Sequence, residues 1–176
     1  VILWKPTPYA AAQARLADRL QPSSFKPPRL RNVLFIPGNR RDMLGKADRY
    51  FPDAFVPDME DSVPPDEKAN ARQTIADALQ AMTQLGIPII PRVNSLESGH
   101  TQADIEAVVG RGITGISVGK IRTPEAIQVL DRFLLDAEQD SGTARGSTFL
   151  FLWIETAAGI MNVTEIVAAS PRVQWI

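Results

Sequence analysis

Short, continuously apolar runs alternate along this chain with longer segments whose apolar positions recur at helical spacing. Residues 33–36 form the first run, closed by Pro37 and Gly38 and followed by a polar, helix-compatible stretch over 39–50. Ala54, Phe55 and Val56 lead into an acidic cluster. Residues 67–85 then carry Ala71, Ile75, Ala78, Leu79, Met82 and Leu85 on one stripe of period 3.6, which predicts an amphipathic helix. The pattern repeats with an apolar run at 87–93 and a helix over 101–109. A run at 115–118 precedes a helix opened by Thr123, Pro124 and Glu125, with Ile127, Leu130, Leu134 and Ala137 on its buried face. The strongest strand is 149–154, a helix is predicted over 159–169, and a sixth strand over 173–176.

Strands that are apolar along their whole length, each followed by an amphipathic helix, predict an α/β fold: a parallel sheet covered by helices. Two architectures satisfy the pattern, an open doubly wound sheet and a (β/α)8 TIM barrel represented by roughly its first five to six units. Periodicity does not choose between them. Pro57 inside the second strand lacks a ladder donor and predicts a bulge or a shortened second strand.

Residues 1–30 do not share the alternation and read as an N-terminal arm. Ala12, Leu16 and Leu20 fall on one face of a short helix over 10–20, and Pro22, Pro27 and Pro28 read as an extended linker. Residues 31–176 form the domain. The chain opens on Val and stops as a strand begins, so the domain is expected to be a partial barrel truncated before its C-terminal third. The expected compartment is the cytoplasm, or the mitochondrion if the basic-leaning, Ala-rich arm is the remnant of a targeting sequence.

At 176 residues the chain is of single-domain size and long enough to bury a core. It has no Cys, which excludes disulfides, thiolate nucleophiles and Cys-ligated metals, and its single His, His100, excludes a two-His metal site within one chain. With 19 Lys and Arg against 20 Asp and Glu, it carries no electrostatic footprint for nucleic acid or an anionic membrane surface, and neither partner is expected. The apolar run at 149–154 is far short of the roughly 20 residues that span a bilayer. Any chemistry must rest on carboxylates, Arg, Lys and backbone.

Those groups recur in one place, just after each strand: Asn39 and Arg40 after the first, Asp58, Glu60 and Asp61 after the second, Arg92 and Asn94 at the third, Lys120 after the fourth, Glu155 after the fifth. The carboxyl ends of parallel strands are where ligands bind in both candidate architectures. Charged clusters converging on one rim point to a site that binds an anion and a hard cation together. Glu155, a lone acid after a long apolar run, calls for a partner, and Mg²⁺ takes oxygen ligands with often only one or two protein carboxylates. A guanidinium at Arg92 supplies a fixed fork of donors for an oxyanion, or a structural ion pair with Glu60 or Asp61. Lys120 reads equally as a substrate contact or an ion-pair partner. His100 reads as an exposed loop residue.

The segments Leu-Phe-Ile-Pro-Gly-Asn-Arg ending at Arg40, Asp-Met-Glu-Asp-Ser-Val from Asp58, Pro-Arg-Val-Asn ending at Asn94, Gly119-Lys120 and Ile-Glu-Thr-Ala-Ala-Gly from Ile154 stand in familiar order and spacing. Over residues 31–176 they resemble the citrate lyase β-subunit-like branch of the HpcH/HpaI aldolase superfamily, the citryl-, malyl- and citramalyl-CoA lyases. The resemblance implies a TIM barrel and Mg²⁺-dependent (or Mn²⁺-dependent) cleavage of a 3-hydroxyacyl-CoA thioester into acetyl-CoA, or a homologue, and a 2-oxo acid. It implies Glu155 as one metal ligand, with the second beyond residue 176. It makes Arg92 the group that binds the oxo-acid oxygens and stabilises charge as the C–C bond breaks, with Glu60 and Asp61 orienting Arg92 and metal-bound water. Asn39 and Arg40 fall in the loop near the CoA phosphates, and Lys120 matches a family Lys that usually follows Pro, where this chain has Gly119. The aldolase branch carries a His where Asp61 stands, which favours the CoA-lyase branch.

The resemblance also implies a homo-oligomer, trimer or hexamer, whose neighbouring subunit supplies the final proton from a C-terminal region. This chain alone is therefore expected to be inactive or nearly so. Two alternatives stand beside the lyase: a CoA-independent metal-dependent aldolase on the same barrel, and a non-catalytic truncated paralogue that binds partners through an exposed strand edge.

Overall fold

The computed structural model describes residues 27–176. The helix expected over 10–20 and the linker position Pro22 lie outside the described residues. Six strands, β1 (Val33–Pro37), β2 (Ala54–Asp58), β3 (Arg92–Val93), β4 (Gly115–Val118), β5 (Phe149–Leu152) and β6 (Val173–Trp175), form one parallel sheet. Each strand lies beside its sequence neighbour, in the order β1-β2-β3-β4-β5-β6. A doubly wound sheet reverses its strand order at a switch point, whereas sequential winding is how a (β/α)8 barrel is laid down. The order therefore selects the barrel.

The connecting helices are α1 (Arg41–Leu44), α2 (Lys68–Thr83), α3 (Thr101–Val108), α4 (Pro124–Ser141), α5 (Ala157–Met161) and α6 (Val163–Ala168). Alternate strand residues feed two apolar layers. Ile36, Phe55, Ile116, Val118, Leu150 and Leu152 pack against Ile75, Leu79, Ile105, Ile127, Leu130 and Leu134 of the helices. On the concave face Ala54, Ile90 and Phe151 pack with Val33, Trp153, Trp175 and Leu30. Trp153 stacks on Phe151 with ring centroids 4.7 Å apart and donates its indole N–H to Ser117 Oγ at 2.6 Å. Trp175 donates to the Pro28 carbonyl at 3.1 Å. No helix among the described residues is long and apolar enough to cross a membrane.

The sheet departs from expectation at β3. Residues 87–93 were expected to form a full strand, yet only Arg92 and Val93 are paired as one. Around them the backbone still runs alongside β2, with Phe55 N donating to Pro88 O and Ile90 N to Phe55 O, both at 2.9 Å. Pro88 has no N–H to give to β2, and Pro57 lacks the donor that would face Ile90, so the β2–β3 ladder is gapped from both sides, while Pro91 faces β4 and accepts Ser117 N at 2.8 Å. Pro57 neither bulges nor shortens β2, which keeps unbroken register with β1 from Val33↔Ala54 to Pro37↔Asp58. Its cost falls on the β2–β3 seam instead. The helix expected over 159–169 is likewise two pieces. Asn162 leaves helical geometry at φ −107° and donates its side-chain amide to the Arg122 carbonyl at 2.9 Å, ending α5 and opening α6.

A dry ionic cluster closes the amino-terminal end of β5 and β6. Arg172, 1% exposed, holds Glu138 with Nη1 and Nη2 at 2.7 and 2.8 Å and reaches Asp131 Oδ1 with Nε at 3.2 Å. One guanidinium here faces two carboxylates, and Glu138 also accepts from Gly146 N and Thr148 N. Burial raises the Glu138 carboxyl but these bonds outweigh it, and it sits below its ordinary value. Asp131, with Oδ2 buried and unbonded, is the surplus acid, and burial pushes it up to about 6 despite Ser170 and Arg172. A carboxyl that protonates more readily folded than unfolded costs stability as pH rises from about 4 to about 6. Asp131→Asn removes that cost. Urea unfolding is expected to show the variant level with wild type near pH 4 and more stable by roughly 3 kcal/mol at pH 7. A difference that does not change with pH would contradict this.

Candidate active site

Asp58 ends β2 and Arg92 begins β3, and the two are register partners, so both side chains leave the same face of the sheet. Arg92 forks onto Asp58, Nε to Oδ1 at 2.7 Å and Nη2 to Oδ2 at 2.6 Å. Asp58, 1% exposed, also accepts the backbone N–H groups of Glu60 at 2.8 Å and Ser62 at 3.1 Å, which bend the chain into the acidic turn. Burial pushes the Asp58 carboxyl up, yet Arg92, Ser62 and the Glu60 N–H hold it below its ordinary value. Burial likewise opposes the Arg92 charge, but Asp58, then Glu60 and Asp61, keep its pKa raised. The guanidinium also lies over the Phe35 ring, 5.1 Å from its centroid. Only Nη1 is left for other partners. It lies 3.3 Å from Asp61 Oδ2 and 3.8 Å from Glu60 Oε2.

Glu60 is buried on this rim. Its Oε1 accepts Ser95 N at 3.2 Å and Lys120 Nζ at 3.1 Å, while Oε2 is buried with no hydrogen bond. Lys120 also donates to Asp61 Oδ1 at 2.9 Å. The Asp61 bond raises the ammonium above its ordinary pKa against burial, and Glu60 adds to it. Lys120 follows Gly119 at the end of β4, and its main-chain N–H donates to Glu155 Oε1 at 2.9 Å. Glu60, Asp61, Arg92, Lys120 and Glu155, all singled out from sequence, are thus joined in one connected cluster.

The role of Asp58, placed on the rim from sequence, and the presence of Lys68 were not anticipated. Asp58, rather than Glu60 or Asp61, is the principal partner of Arg92, and the signal was available in the strand alternation that puts positions 58 and 60 on one face. Lys68 donates from Nζ to the carbonyls of Met59 at 2.9 Å and Glu60 at 2.5 Å, holding the acidic turn from behind. Burial lowers its pKa in spite of the carboxylates of Asp58 and Glu60. A cation in the first turn of a helix opposes the macrodipole, an anomaly that already pointed to a tertiary partner.

Asn39 and Arg40 stand apart from the cluster. Asn39 donates to Glu67 Oε2 at 2.7 Å and leaves Oδ1 buried without a bond, while exposed Arg40 forks onto Asp42 at 3.0 and 3.1 Å. Asn94 donates to Asp104 rather than to the rim. His100 is exposed.

Oxygen-only donors fit a hard cation such as Mg²⁺, and the unbonded Glu60 Oε2 beside Glu155 is the side of the site with acceptor capacity to spare. Among the described residues no group of three acids or histidines could hold a metal ion by itself.

The family model for HpcH/HpaI aldolase/citrate lyase matches residues 31–176. Citrate lyase subunit beta of Leuconostoc mesenteroides is 34% identical over 142 residues, covering 81% of this chain and 47% of the relative. The L-malyl-CoA/beta-methylmalyl-CoA lyase of Cereibacter sphaeroides is 32% identical over 162 residues, covering 90% and 50%. The chain spans about half the length of these relatives. The crystal structure of CitE from Mycobacterium tuberculosis in complex with magnesium and pyruvate superposes with a TM-score of 0.59 at 23% identity, over 79% of this chain and 50% of that one, and shares the fold. With the motifs, the barrel winding and the match along residues 31–176 in agreement, this chain belongs to the HpcH/HpaI aldolase/citrate lyase family.

Proposed function

We propose that the protein is a Mg²⁺-dependent carbon–carbon lyase that cleaves a 3-hydroxyacyl-CoA thioester to acetyl-CoA, or a homologue, and a 2-oxo acid. The observation that carries the reading is the state of Arg92. Two of its nitrogens are committed to Asp58, and the third is held on the rim beside Glu60 and Asp61. The relatives support it, one being named a citrate lyase subunit and another a malyl-CoA lyase.

Glu155 would hold the cation, with Glu60 Oε2 facing its shell. Bound there, Mg²⁺ would supply a Lewis acid that polarises the hydroxyl beside the breaking bond. The chain's own residues do the rest. Arg92 binds the carboxylate and nascent carbonyl oxygens of the oxo-acid portion through Nη1, with its plane fixed by Asp58 so that little reorganisation accompanies the reaction. One carboxylate of the Glu60–Asp61 pair accepts the hydroxyl proton, directly or through water. As that proton leaves, the oxygen lone pair becomes the new carbonyl, the C–C bond breaks, and its electron pair passes to the thioester as an enolate. The enolate then takes up one proton to give the product thioester. Lys120 keeps Glu60 and Asp61 compensated between turnovers. Asn39 and Arg40, at the head of the first connection, meet the CoA phosphates.

Two measurements test the reading. A panel of 3-hydroxyacyl-CoA thioesters is assayed for oxo-acid release by the longest expressed form of the protein, with Mg²⁺ and again with a chelator. Chelator-sensitive release is expected, and residues 1–176 assayed alongside are expected to turn over little or not at all. Release from free hydroxy acids without CoA would move the assignment to an aldolase, and no release from folded protein would overturn catalysis. Separately, Arg92→Lys keeps the charge but loses the fork. It is expected to lower turnover by about 10²- to 10³-fold, as loss of an oxyanion donor does. A loss under about threefold would remove Arg92 from the chemistry.

A further inference from the structure

The corner between β4 and α4 is built against the ordinary preferences of its residues. Lys120 has φ +60°, alone among the described non-glycine residues in the left-handed region. A side chain with a Cβ is strained there, and glycine would adopt the same backbone freely. What the conformation gains is visible in its bonds. It presents the Lys120 main-chain N–H to Glu155 Oε1 at 2.9 Å while Nζ reaches Glu60 at 3.1 Å and Asp61 at 2.9 Å. Carboxylates from the ends of two other strands, β2 and β5, are thereby tied to a single residue.

The preceding residue is constrained by the same carboxylates. A Cβ on Gly119 would collide with Glu155 Oε1 and stand 3.3 Å from Glu60 Oε2. Gly119 has no positive φ, so what glycine provides here is space: a Cβ would displace the end of the Glu155 side chain from the position it occupies. Glu60 and Glu155 flank the same missing methyl, an approach of like charges that needs a cation to compensate it. The Lys120 ammonium compensates Glu60 and Asp61. Its N–H fixes Glu155 by Oε1 and leaves Oε2 as the oxygen for a ligand.

We propose that Lys120 is a positioning residue whose left-handed main chain sets the Glu155 carboxylate for a divalent cation, with Gly119 keeping clear the space that carboxylate occupies. The inference rests on Glu155 as the cation ligand and assigns the backbone, not the ammonium, as the element that orients it. Lysine stands at 120 because glycine there would supply the backbone without the tether to Glu60 and Asp61.

Mn²⁺, titrated by electron paramagnetic resonance into the longest expressed form of the protein, separates the two contributions. Lys120→Gly keeps the left-handed backbone and loses the amine. It is expected to bind Mn²⁺ as tightly as wild type or more tightly, since a competing positive charge is gone. Lys120→Val disfavours the left-handed backbone and redirects the N–H, and is expected to weaken Mn²⁺ about tenfold or more. Gly119→Ala pushes on the end of the Glu155 side chain and is expected to weaken Mn²⁺ as well, which keeps the test decisive if Lys120→Val does not fold. Hydrogen exchange at the Lys120 amide is expected to be slowed in wild type and Lys120→Met, and fast in Glu155→Ala.

Mn²⁺ binding by Lys120→Val and Gly119→Ala equal to wild type would overturn the inference, as would a loss in Lys120→Gly matching that in Lys120→Val. Equal exchange of the amide in wild type and Glu155→Ala would overturn it too. Wild type that binds no Mn²⁺ at all would overturn the cation assignment itself, and this inference with it.

Discussion

The Asp58–Arg92 fork does two things at once. The seam between β2 and β3 is short of backbone donors, with prolines at 57 and 88 leaving gaps where a parallel ladder would otherwise run. A bidentate side-chain pair at the register-matched ends of the two strands closes that seam at the carboxyl end. The pair is largely out of water, so removing either partner strands a charge, at a cost of about 3–5 kcal/mol. The same pair fixes the plane of the guanidinium and, through the Glu60 and Ser62 amides on Asp58, the turn that carries Glu60 and Asp61. Fold and site share their central interaction, which is why Asp58 is buried and Arg92 only partly so.

The two ionic clusters of the molecule show how position in a barrel decides what a charge is for. Arg172, Glu138 and Asp131 lie dry at the amino ends of the strands, packed among helix residues, with no opening for a ligand. Their excess of acid raises the Asp131 carboxyl to about 6, so its charge is held at a cost. At the carboxyl ends, Glu60 is buried but Asp61 and Glu155 are exposed, and the excess of acid stays open to a cation from solution. Both clusters hold a buried carboxylate oxygen without a hydrogen bond, Asp131 Oδ2 and Glu60 Oε2, but only the second stands beside exposed carboxylates.

Much of this was legible in the order of residues. Continuous apolar strands and striped helices gave the α/β class, and the recurrence of polar side chains after each strand located the rim. What periodicity alone could not give was the winding, because a doubly wound sheet and a barrel share the same alternation and differ only in which strands become neighbours. The resemblance carried by the segments around Arg40, Asp58, Arg92 and Glu155 filled that gap. Proline effects were assigned to the wrong partner, since a missing donor at 57 is felt by whichever strand it faces, and that is β3 rather than β2. Lys68 went unseen because its partners are carbonyls, which every residue has and no motif records. The left-handed backbone of Lys120 is invisible in a sequence for the complementary reason: glycine announces such a turn and lysine does not.

The hydrogen bond from Trp175 to the Pro28 carbonyl joins positions 147 residues apart. A chain that emerges from the ribosome residue by residue holds Pro28 and Leu30 long before the Trp175 indole is available to meet them, and must gather five parallel strands before the sixth can reach back. Every one of those pairings is a crossover with its helix in the loop, the kind of non-local contact that is slow to form. Arg31 and Asn32 can close on the Asp53 carboxylate as soon as β2 is made, whereas the Pro28 carbonyl waits for β6, so two neighbouring stretches of the same lead-in segment are secured at opposite ends of synthesis.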